Sequence, residues 1–138
     1  MISVSNEVVR SQISNSVRNN RELAIRVIGW VLVLSVVVLS LVPGRFRPHV
    51  LPSNHEEHFI AYVVVGLFLG VSYTALRQRL ILGIMLAIGA ASLETAQLFI
   101  VGRTSSVEDF MASILGAWTG LLLSSLAQRL LDRMFKAV

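Results

Sequence analysis

The sequence predicts an all-α membrane protein, a bundle of four transmembrane helices with both termini in the cytoplasm, and three observations carry that reading. Of 138 residues, 54% are hydrophobic and only 14% charged, with a mean hydropathy of +0.72, well to the apolar side of a water-soluble domain. The charges are not spread along every element, as a soluble amphipathic core would require, but collect in short segments between apolar runs. The basic residues are also unevenly divided among those segments.

The elements follow in order. Residues 1–22 form a polar tail in which Val9, Ile13 and Val17 recur at helical spacing, so an interfacial amphipathic helix and a disordered tail are both open readings. A transmembrane domain covers 23–128, and its first span is the apolar run from Leu23 to Val42, interrupted only by Arg26. That run ends in Val42-Pro43-Gly44, without the small-x-small pattern of a cleaved signal, and is expected to stay attached. Pro43, Gly44, Pro48 and Pro52, with Arg45, Arg47, His49 and His55, describe a polar connector. The second span is Phe59 to Leu76, the third Leu80 to Val101 after a hairpin at Arg77-Gln78-Arg79, and the fourth Val107 to Leu126 after a turn at 102–106. Residues 129–138 are a basic C-terminal tail.

With the N-terminus inside, nine basic residues (Arg10, Arg18, Arg21, Arg26, Arg77, Arg79, Arg129, Arg133 and Lys136) face the cytoplasm, and three (Arg45, Arg47 and Arg103) face out. This bias, rather than affinity for nucleic acid, accounts for the net charge of +4, and no nucleic-acid partner is expected. Cysteine is absent, which excludes disulfides, thiolate nucleophiles and cysteine-bound metal.

Helix packing is encoded in small residues. Gly66 and Gly70 form one G-x-x-x-G and Gly116 and Gly120 another, while Gly83, Ala87, Ala90 and Ala91 line the third helix, so the second to fourth helices are expected to pack closely.

Polar groups inside a bilayer are costly and mark the informative positions. Glu94 lies within the third span, with Gln97 three residues further on the same face. On the fourth helix Asp109, Ser113, Gly116 and Gly120 share a face; on the second, His55, His58 and Tyr62 do. Arg103 sits in the turn between the third and fourth spans, within reach of Glu94, Asp109 or an external anion. One reading is a hydrogen-bonded network that fixes helix register. A second is a site on the outer face in which His58, Glu94 and Asp109 are the candidate catalytic groups and Arg103, Gln97, Tyr62 and His55 hold a ligand. A third makes His55, His58, Glu94 and Asp109 metal ligands, but no spacing matches a compact ligand motif, so neither metal nor cofactor is expected.

Three segments carry a family resemblance: Asn54-His55-Glu56-Glu57-His58-Phe59-Ile60-Ala61-Tyr62, then Glu94-Thr95-Ala96-Gln97, then Gly102-Arg103-Thr104-Ser105-Ser106-Val107-Glu108-Asp109 with Gly116-Ala117 and Gly120. Together they resemble the VanZ-like family of small bacterial membrane proteins, whose pattern is roughly D-K-x-x-H-F-x-x-Y, E-x-x-Q, G-R-x-x-S-x-x-D and G-A-x-x-G. The likeness covers residues 54–120; Asn54 and His55 replace the family's aspartate and lysine, and Ser113 an asparagine. The resemblance implies a bacterial cytoplasmic-membrane protein of the cell envelope, the founding member being associated with resistance to the glycopeptide teicoplanin. The expected partner is a membrane lipid or a lipid-linked envelope precursor that the site binds or modifies. The alternative is an accessory subunit of a larger membrane complex. Whether the chain is an enzyme is left open.

Overall fold

The structure, a computed structural model, describes residues 2–46 and 53–136. The chain forms four α-helices, α1 (Ile2–Leu41), α2 (Asn54–Ser72), α3 (Leu76–Gln97) and α4 (Val107–Lys136), with one short 3-10 turn at Gly44–Phe46. Apolar runs of this length leave the backbone no solvent partner in lipid, and a helix satisfies every internal amide within the run. Three of the helices are long and apolar enough to cross a membrane, over Val8–Leu41, Leu76–Gln97 and Val107–Leu130.

Several boundaries differ from the sequence expectation. The polar N-terminal stretch and the first apolar run form one uninterrupted helix, and the basic C-terminal segment continues α4 as far as Lys136. The hairpin between α2 and α3 lies at Tyr73–Ala75, so Arg77, Gln78 and Arg79 belong to the first turn of α3. The reason is Arg79: its guanidinium donates to the carbonyls of Tyr73 at 3.1 Å and Gly70 at 3.1 Å, to Ser125 Oγ at 2.5 Å and to Gln128 Oε1 at 2.7 Å. One fixed fork of donors thereby satisfies carbonyls at the end of α2 and ties α3 to α4. At the other end, α3 stops at Gln97 and its last amides bond three residues back, as in Ile100 N–H to Gln97 O at 3.1 Å. Gly102 then turns the chain with φ 78°, a left-handed conformation that glycine adopts without strain. Arg47, His49, Pro48 and Pro52 of the connector lie outside the described residues.

α2 is the central helix. Its most intimate partner is α4, with α1 against another face, while α3 packs mainly on α4. The expected glycine pairs make the α2–α4 contact. A Cβ on Gly66 or Gly120 would collide with the backbone carbonyl of Ala117 or Val63, and one on Gly116 with that of Phe59. Gly70 similarly leaves room only for Ser124. The small face of α3 is narrower than expected: Gly83 lies against Trp118 and Ala90 is buried, but Ala91 is exposed. Between these helices Val65, Leu69, Leu82 and Leu121 form the apolar centre, extended by Tyr62, Ala90 and Ala117.

Candidate functional site

The close approach of α2 and α4 brings the first turns of both helices beside the last turn of α3, and there the polar residues meet. His58, Glu94 and Asp109 are all buried, and one ligand-type atom from each lies within 4.8 Å of the other two. His58 Nδ1 is 3.2 Å from Ser113 Oγ, and that hydroxyl donates its single proton to the Asp109 carbonyl at 2.8 Å. Proton counting therefore assigns the hydrogen to Nδ1, which donates to Ser113 and leaves Nε2 as the ring's other functional nitrogen. Tyr62, one turn deeper on α2, also hydrogen-bonds Ser113, so the serine gathers two side chains onto α4.

Glu94 is held by the loop that follows α3. Its Oε2 accepts from the Ser106 backbone N–H at 3.0 Å. Ser106 is also the N-cap of α4, its Oγ accepting from the Glu108 and Asp109 amides at 3.1 and 3.4 Å. One residue thus starts the helix that carries Asp109 and orients the carboxylate opposite. Glu108 and Asp109 in that first turn complement the positive end of the helix dipole.

The remaining expected residues are placed differently from one another. Gln97 is 2% exposed, and its amide nitrogen has no hydrogen-bond partner. Arg103 donates to the end of α1, from Nε to Val42 O at 3.0 Å and from a terminal nitrogen to Leu39 O. His55 is exposed and lines a shallow groove between α2 and α4 with Phe59, Glu108 and Met111, outside the buried cluster.

An apolar cleft not anticipated from the sequence lies below the cluster. Its cavity is about 110 Å³, with Trp30, Val33 and Val37 of α1 on one wall and Met85, Leu86 and Gly89 of α3 on the other. Tyr62, Val65 and Leu69 of α2 form its floor. Trp30 and Met85 are exposed, so the cleft opens sideways between α1 and α3. Its last α3 residue, Leu93, precedes Glu94. Sequence periodicity could not reveal this gap, because it arises where α1 and α3 touch only sparingly. Ser106 carried a readable signal, since serine two and three residues before Glu108 and Asp109 is a helix-start pattern. No protein-family model, curated protein or solved structure matches the chain.

Proposed function

We propose that the chain is a VanZ-like protein of the bacterial cytoplasmic membrane that crosses it four times, with both termini in the cytoplasm. In this reading the buried cluster lies near the outer face and binds or modifies an anionic lipid or lipid-linked wall component, with a bearing on glycopeptide sensitivity. The observation that carries the reading is the junction at Tyr62: its ring forms part of the cleft floor, and its hydroxyl joins the network of Ser113 and His58. An apolar slot opening sideways and ending beneath polar groups fits a molecule with an acyl chain and a polar head. The apolar part of α2, residues 59–72, is roughly 21 Å long, so this crossing is the shortest of the proposed set. The division of basic residues supports the orientation.

The test is thermal stability in neutral detergent with and without phosphatidylglycerol, for wild type, Glu94→Gln and Gly89→Leu. The leucine would stand in the cleft, where nothing lies within 4 Å of a Cβ at Gly89. Lipid should raise the melting temperature of wild type and of neither variant, at unchanged basal stability. An equal rise in all three, or none in wild type, overturns the proposal.

A further inference from the structure

We infer that His58, Glu94 and Asp109 are the three protein ligands of a divalent metal ion of the zinc class, with a fourth position open to substrate or water. One nitrogen and two carboxylate oxygens form a donor set suited to zinc, and three protein ligands are the number found where zinc does chemistry. Their ligand atoms already lie within 4.8 Å of one another. Tetrahedral zinc with bonds near 2.1 Å needs donors about 3.4 Å apart, a contraction on the order of 1 Å that side-chain rotation can supply.

Two further observations single this group out from an ordinary buried ion pair. The first is its outer layer of hydrogen bonds. Metal-bound histidine characteristically donates its other ring nitrogen to a fixed acceptor, and Nδ1 of His58 does so to Ser113 at 3.2 Å. Ligating carboxylates are likewise held through one oxygen, as Glu94 is through the Ser106 amide at 3.0 Å. The second is Gln97, on the same face of α3 as Glu94 and one turn beyond it, whose buried amide nitrogen has no partner. An unsatisfied buried donor costs about 1–3 kcal/mol and points to an acceptor oxygen, such as one on a metal-bound water or phosphate.

Electrostatics points the same way. A divalent cation would balance the charge of the two buried carboxylates, which an apolar bundle otherwise holds close together at a cost. The metal site stands on the geometry of three side chains and does not depend on the lipid reading.

The experiment uses the full chain in neutral detergent, stripped with EDTA and titrated with Zn²⁺ or Co²⁺ without added lipid. One equivalent should bind, with a rise in melting temperature and, for Co²⁺, the visible absorption of a four-coordinate N/O site. His58→Gln and Asp109→Asn should each weaken binding at least tenfold. Failure of the stripped wild type to bind either ion overturns the inference, as does unchanged affinity in His58→Gln. Thr104→Ala, at an exposed position, sets the baseline for a folded variant, and a variant that keeps the wild-type melting temperature without metal is the one whose affinity is read. Lipid stabilisation without metal binding would refute this site and spare the proposed function; metal binding without lipid stabilisation would do the reverse.

Discussion

His58 Nδ1 and Ser113 Oγ stand 3.2 Å apart across the α2–α4 interface, one turn from the point where Gly116 meets the Phe59 carbonyl. Backbone contact and polar contact are therefore one arrangement: without the glycine the helices could not approach closely enough for an imidazole to reach a serine hydroxyl. Ser113→Ala removes the acceptor of His58 and a partner of Tyr62 while leaving a side chain that fits. It is expected to lower stability by about 1–3 kcal/mol, the cost of a buried donor left unmade, measured by thermal or denaturant unfolding in detergent. Unchanged stability would show that water replaces the hydroxyl.

Gly120→Ala should be worse than its single methyl suggests. The added carbon would strike the Val63 carbonyl, a backbone atom that cannot rotate away. The expected loss is about 1–3 kcal/mol or more, with the α2–α4 pairing loosened. Gly89→Ala, where a Cβ meets nothing within 4 Å, is the matched control and should be neutral or slightly stabilising through helix propensity.

Arg79→Ala deprives the Tyr73 and Gly70 carbonyls, Ser125 and Gln128 of a shared donor. The expected cost is about 2–4 kcal/mol, larger than for any arginine of the exposed surface. Arg79→Lys should recover only part of it, because a single ammonium cannot reproduce the planar fork. Full recovery by lysine, read from the same unfolding curves, would mean that charge alone matters there.

Arg103→Ala should loosen the end of α1, since Nε bonds Val42 O at 3.0 Å. A spin label at Phe46→Cys is expected to gain mobility, while one at Met111→Cys, on the exposed side of α4, is not. The absence of native cysteine makes both labels clean.

The same freedom allows topology to be read directly. An impermeant maleimide added to intact cells should label Thr104→Cys and spare Asn15→Cys until the cells are opened. The reverse pattern would invert the orientation.

Helix content and the α2–α4 seam were legible because they follow from local pattern: apolar length for one, paired glycines for the other. The gathering of His58, Glu94 and Asp109 was legible as well, since each carries its polarity on a face otherwise made of packing residues. What escaped were relations that depend on how helices are spaced. Arg79 reads as a hairpin residue in the sequence, yet its side chain reaches back to α2 and across to α4. Arg103 reads as a cation beside two acids, and nothing in the sequence signals that it also donates to carbonyls at the end of α1. The α1–α3 cleft has no signature, because valine and leucine alternate alike on walls that touch and walls that do not. Trp30, whose Nε1–H donates to the Tyr73 hydroxyl at 3.1 Å, pins that wall at its far end, where Arg26 also lies 5.0 Å over the Tyr73 ring.

The uninterrupted α1 has a further consequence. Forty residues at 1.5 Å each make a rod about 60 Å long, twice the depth of an apolar slab. In the proposed orientation about half of it extends past the apolar slab, and Val9, Ile13 and Val17, all exposed, lie on that half along one side. The same continuous helix carries Trp30 and Val37 of the cleft wall, so that outer segment and the slot share one element.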